Sequence, residues 1–158
     1  MRETLFNWLQ ETVPGAACLD LYAGSGALGF EALSRGAERV VFVDQDARVI
    51  QQLGANLELL DATGRGKTAW SEAHAYLEGS ARADGPFDIV FLDPPYREHI
   101  LGRSCALLEQ SGALAPLAWI YLETEAREAP PGLPEGWIYL QSKTAGHVGY
   151  HLCRRERP

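Results

Sequence analysis

What most restricts the fold of this chain is a series of solidly apolar runs separated by stretches with helical spacing. Ala17–Tyr22, Val40–Val43, Phe87–Leu92 and Leu117–Leu122 read as strands, and a shorter one lies near Lys67–Trp70. Between them, Leu5, Phe6, Leu9 and Val13 mark a helix over 2–13 that Pro14-Gly15 ends, and Val49, Ile50, Leu53 and Leu57 line one face of a helix over 46–60. A helical stretch also runs to Arg35-Gly36, a brief one covers Glu72–Leu77, and another follows over about 98–110. Apolar strands alternating with helices mean a parallel sheet covered on both faces. After a loop between Glu128 and Gly136, two short runs, Trp137–Leu140 and Val148–Cys153, joined by "KTAGH", read as an antiparallel hairpin at a sheet edge. The expectation is an α/β fold, doubly wound and mostly parallel, with a C-terminal antiparallel hairpin.

A doubly wound sheet binds ligands at the carboxyl ends of its strands, near the point where strand order reverses. Asp20, Asp44, Glu72 and Asp93 each fall at or just beyond such an end. Glycines accompany the first of these acids. "GSGALG", Gly24–Gly29, satisfies G-x-G-x-x-G, with Asp44 placed 20 residues beyond Gly24 where a ribose-binding acid is expected. A dinucleotide such as NAD therefore competes with S-adenosylmethionine (SAM) for this loop. Asp20, four residues before Gly24, favours SAM: it would repel a pyrophosphate but attract an ammonium group and a sulfonium. Glu72, with Ala73 after it, follows the third strand, where a side-chain acceptor can take an adenine amino group; a helix N-terminal acid is the competing reading. His74, His99, His147 and His151 have no metal-ligand spacing, and no metal is expected.

The strand that ends at Asp93 is followed by Pro94, Pro95 and Tyr96. Proline cannot continue a central strand, so the segment stops at the sheet's end and is held rigid there. An exocyclic amine on a nucleobase is a poor nucleophile, because its lone pair is delocalised into the ring. Two acceptors for its two N–H bonds would pyramidalise it, and the Asp93 side chain and the Pro94 carbonyl supply such a pair. Tyr96 offers a face for the base, with stacking worth roughly 1 to 3 kcal/mol. Guanine N2, adenine N6, cytosine N4 and a glutamine amide would all suit this turn. A binding protein that uses SAM or RNA without turnover is the non-enzymatic alternative.

Composition bounds the rest. With 158 residues, one domain spanning 1–158 is expected. No apolar stretch approaches the roughly 18 residues of a membrane span, and the N-terminus lacks a signal-peptide layout, so the expected location is the cytoplasm. Cys18, Cys105 and Cys153 are isolated and read as reduced, buried thiols. A net charge of −7 argues against a general nucleic-acid binder, although Arg154, Arg155 and Arg157 cluster near the end as a local basic face or a charged tail.

Taken together, "RETLFNWL" (Arg2–Leu9), "CLDLYAGSGALGFEALSRGA" (Cys18–Ala37), "VDQD" (Val43–Asp46), "FLDPPY" (Phe91–Tyr96), "IYLETE" (Ile120–Glu125) and "KTAGHVGYHL" (Lys143–Leu152) resemble the RsmD family of bacterial 16S ribosomal RNA guanine-N2 methyltransferases. The resemblance implies a Rossmann-like, SAM-dependent methyltransferase with a seven-stranded sheet. Its expected partner is 16S rRNA in a small-subunit assembly intermediate, met by a monomer. It places Asp20, Ala23, Gly24, Ser25 and Gly26 in the SAM loop, Asp44 on the ribose, Gln45 beside the adenine, and Asp93, Pro94, Pro95 and Tyr96 in the catalytic turn. Glu72 departs from the asparagine or aspartate expected at that point. The family also implies a basic, hairpin-like extension ahead of the Arg2–Leu9 helix, where this chain begins. The expectation is a chain that binds SAM with a weakened grip on RNA.

Overall fold

A computed structural model describes residues 2–94 and 100–157. The elements run α1 (Arg2–Trp8), β1 (Ala17–Asp20), α2 (Ala27–Ser34), β2 (Arg39–Asp44), α3 (Ala47–Leu59), β3 (Gly66–Trp70), α4 (Ala73–Glu78), α5 (Ala81–Asp84), β4 (Phe87–Leu92), α6 (Ile100–Gln110), β5 (Leu114–Glu125), β6 (Trp137–Ala145) and β7 (Val148–Glu156). Seven strands form one sheet in the order β3-β2-β1-β4-β5-β7-β6. β1 to β5 are mutually parallel, and β7 is antiparallel to both β5 and β6. This is the doubly wound sheet with a C-terminal hairpin that the apolar runs imply.

Side-chain alternation along each strand divides the core in two. Leu19, Val41, Val43, Val90, Leu92, Ile120 and Leu122 face one layer with Tyr76 and Leu77 of α4 and Leu101, Cys105 and Leu108 of α6. Cys18, Val40, Phe42, Ile89, Phe91 and Tyr121 face the other, with Leu5 and Phe6 of α1, Leu33 of α2 and Leu53 and Leu57 of α3. Burial on both faces is why these strands carry no polar stripe. All three cysteines are free and buried, and burial pushes the Cys18 and Cys105 thiols up to about 12.

Several boundaries differ from the sequence reading. α1 stops at Trp8 and turns rather than helix carry the chain on, with the Val13 N–H bonded to the Leu9 carbonyl, so Val13 is still buried at the end of the segment. β1 ends at Asp20, two residues early, because Leu21 and Tyr22 already turn toward the glycine loop. β5, β6 and β7 are longer than expected: β5 pairs with β7 from Leu117↔Glu156 to Glu125↔Val148, and β6 pairs out to Ala145. Only Gly146, at φ 59°, and His147 remain for the turn. The exposed outer half of β6 has no apolar alternation to announce it. The four-residue α5 was not expected at all.

The basic cluster also resolves differently. Arg154 and Arg155 lie within β7, and Arg155 donates to both carboxylate oxygens of Glu109 at 3.0 Å, with side chains only 13% and 16% exposed. That arginine is part of an ion pair between β7 and α6, not of an open basic face. Among the described residues, no helix is long and apolar enough to cross a membrane, and no group of three or more His, Cys, Asp or Glu could hold a metal ion.

Candidate active site

Strand order reverses between β1 and β4, since β2 and β3 extend to one side of β1 and β5 to the other side of β4. At the carboxyl edge of this junction lies a cavity of about 690 Å³. Ala23, Gly24, Ser25, Asp44, Gln45, Glu72, Ala73, Asp93 and Pro94 line it, so four separate strand ends converge on one space.

Local backbone chemistry explains the loop. Gly24 has φ 53° and Gly26 has φ 79°, conformations that side chains rarely tolerate. At Gly24 an added Cβ would meet nothing within 4 Å, which leaves the backbone open to a ligand's approach. At Gly26 it would lie 2.6 Å from Leu53 and 2.7 Å from Phe30, so this glycine serves packing against α3. Asp44 ties the loop to β2: one carboxylate oxygen accepts the Gly24 N–H at 3.0 Å and the other accepts the Asp46 N–H at 2.9 Å. Its orientation is thereby fixed at the cavity wall.

Asp20 takes a different place from the expected one. It does not line the cavity; it is 3% exposed and accepts the Gly29 N–H at 3.1 Å. The first turn of α2 has free N–H groups and its N-cap residue, Gly26, has no side chain to satisfy them, so the carboxylate turns inward to do so. Burial pushes its pKa up to about 7, with the charges of Asp93 and Asp44 adding to the rise and the Gly29 N–H opposing it. Gly26 likewise lies outside the lining. Pro95 and Tyr96 fall outside the described residues.

Glu72 lines the cavity and also caps α4, accepting the Ala75 N–H at 3.0 Å and the His74 N–H. Both sequence readings of this acid therefore meet in one residue. Ala73 follows it as the first residue of α4 and is buried. Gln45 is held by its carbonyl, which accepts the Trp70 indole N–H at 2.9 Å.

Leu21, Tyr22, Ser71, His74 and Ile100 also line the space, and the motif reading did not select them. Tyr22 Oη, His74 Nε2 and Ser104 Oγ form a polar triangle, at 2.9 Å from Ser104 to each of the other two and 3.4 Å between Tyr22 and His74. Tyr22 and Ser71 sit next to selected residues at strand ends, which is the signal that could have found them. His74 likewise follows the selected Ala73, whereas Ile100 arrives only through the packing of α6. A cavity edged by Asp44, Glu72 and Asp93 opposes a pyrophosphate and suits a cation that carries vicinal hydroxyls.

Comparison with known proteins agrees with this architecture. Over 156 residues the chain is 45% identical to ribosomal RNA small subunit methyltransferase D of Escherichia coli (strain K12), covering 99% of this chain and 77% of that protein. The protein of the same name from Haemophilus influenzae is 40% identical over 152 residues, or 96% of this chain and 78% of that one. The solved structure of the Escherichia coli protein yhhF superposes with a TM-score of 0.92 at 43% identity, covering 99% of this chain and 86% of that chain. With residues 1–154 also matched by the model of the family described as Conserved hypothetical protein 95, the chain belongs to that family, the one that holds the ribosomal RNA small subunit methyltransferase D proteins.

Proposed function

We propose that the cavity holds SAM against Asp44 and the glycine loop, and that Asp93 and Pro94 present the N2 amine of a guanine in 16S ribosomal RNA for methylation. The chain is a SAM-dependent ribosomal RNA methyltransferase, as its family relation implies. It meets its RNA as a monomer, within a small-subunit assembly intermediate. One observation carries the assignment of residues: the loop Ala23-Gly24-Ser25, Asp44 and the turn Asp93-Pro94 wall a single cavity at the switch point of the sheet.

Each residue has a stated task. The fixed carboxylate of Asp44 accepts from the ribose hydroxyls, and Gly24 leaves room for the ligand beside its backbone. Gln45, Glu72 and Ala73 border the adenine. Asp20 acts from behind, holding α2 against the loop. When bound, SAM supplies a methyl group activated by its sulfonium. Asp93 and the Pro94 carbonyl accept the two N–H bonds of the amine, so that its lone pair points toward the cofactor side. Asp93 also sits where positive charge develops on the nitrogen. Tyr96 joins this reading by sequence, as the face on which the base stacks once it leaves the RNA helix.

The test is to incubate the chain with SAM and small-subunit particles that lack the modification, digest the RNA and identify the methylated nucleoside by mass spectrometry. N2-methylguanosine is expected, and Asp93→Ala should lower kcat by about a hundredfold. Methyl groups on adenosine or cytidine would overturn the base assignment. SAM binding with no methylated nucleoside would leave a binding protein instead.

A further inference from the structure

Asp93 has a second acid beside it, outside both the glycine loop and the proline turn. β4 and β5 are parallel with Leu92 opposite Leu122, so Asp93, the first residue past β4, comes next to Glu123, which stays within β5, at about the 4.8 Å strand spacing. Phe91 and Tyr121, two residues earlier on each strand, belong to the same core layer, which places the two acids on that same side of the sheet. Glu123 is 8% exposed and stands opposite Tyr150 of β7, whose ring packs on Trp8 at 5.9 Å. Burial and the charges of Glu123 and Asp93 push the Tyr121 hydroxyl up, as expected for two acids close to one ring.

The sheet therefore separates two sides of Asp93. The cofactor cavity is lined from the ends of β1, β2, β3 and β4, and Glu123 stands on the far side, on β5. A base on that side would meet both carboxylates at once. A flipped base is read along its Watson–Crick edge. Guanine displays an N1–H donor next to its N2 amine, whereas adenine and cytosine display a lone pair next to theirs. A carboxylate beside the amine acceptor attracts the first arrangement and repels the second.

We infer that Glu123 is a specificity-determining residue that accepts the N1–H of the guanine whose N2 amine lies at Asp93, and so excludes adenine and cytosine. This rests on the guanine reading proposed above. It gives that reading a residue, since the acceptor pair at Asp93 and Pro94 suits any planar amine.

The experiment compares small-subunit particles assembled on 16S RNA with guanine or 2-aminopurine at the methylated position. 2-Aminopurine keeps the amine but carries a lone pair at N1. Wild type should prefer guanine by about a hundredfold in kcat/KM. Glu123→Gln, whose amide can donate to that lone pair, should narrow the preference at least tenfold. A merely structural Glu123 would lower both rates together and leave the ratio unchanged, which overturns the inference. SAM titration checks that the variant is folded. Should it fail to bind SAM, the wild-type ratio decides, and rates within threefold for the two bases overturn the idea. Mass spectrometry keeps the two levels apart: N2-methylguanosine with an unchanged ratio removes only the role of Glu123, whereas methylation of another base removes the guanine reading and this inference with it.

Discussion

Replacing Asp20 with asparagine should remove a pH dependence of folding. Burial raises the folded-state pKa of Asp20 from 3.8 to about 7. A group shifted upward favours the folded chain fully below pH 3.8 and loses that contribution as pH rises through 7. The shift corresponds to about 4 kcal/mol at 1.36 kcal/mol per pH unit, which is about 10 °C in Tm for a chain of this size. Asparagine offers the Gly29 N–H the same kind of acceptor and does not titrate. The assay is urea unfolding of both chains from pH 4 to pH 8. The difference in stability, Asp20→Asn minus wild type, should grow in favour of the variant by about 4 kcal/mol across that range and level off above pH 7. Any cost of burying the amide appears as a constant offset, and acids that do not interact with Asp20 cancel in the difference. A difference independent of pH would refute the reasoning, because Asp20 would then titrate alike in both states.

Three further outcomes follow from the same geometry. Asp44→Ala removes the acceptor of the Gly24 and Asp46 N–H groups as well as the proposed ribose contact; isothermal titration should find SAM bound about tenfold more weakly or worse. At Gly29, an alanine Cβ would lie 2.3 Å from a Phe42 ring carbon and 3.0 Å from Val40, so Gly29→Ala should cost about 1 to 3 kcal/mol in urea unfolding. Glu109→Ala takes the carboxylate from Arg155, which keeps only the Ala115 carbonyl, and the acceptor from the Trp137 indole N–H, with an expected loss of about 3 kcal/mol at neutral pH. Although burial pushes the Glu109 carboxyl up, hydrogen bonds from Arg155 and Trp137 hold it below 4.5, so this deficit should shrink as pH falls below 4.5 and through the folded-state value.

The apolar runs and their acidic ends were legible because the rule behind them is local. A strand buried on both faces must be apolar throughout, and a chain leaving such a strand at the ligand edge puts its next polar residue there. Asp44, Glu72 and Asp93 reached one cavity for that reason. The apolar pattern marks only four residues of the strand that begins at Trp137, where the sheet extends it to Ala145, because an exposed edge strand has neither continuous nor alternating apolarity. Arg155 looked like part of a charged tail, and only its pairing beside β5 brings it to Glu109.

By itself, the sequence determined the class of fold and the glycine loop, since each depends on residues within a few positions of one another. Tertiary structure decided where the acids point. Asp20 follows the same strand-end rule as Asp44, yet it turns inward because the first turn of α2 presents an N–H that nothing in its own segment can satisfy. Glu123 lies 30 residues from Asp93 in the chain and becomes its neighbour through the register of two parallel strands, a relation set by hydrogen bonds between strands and by no spacing along one.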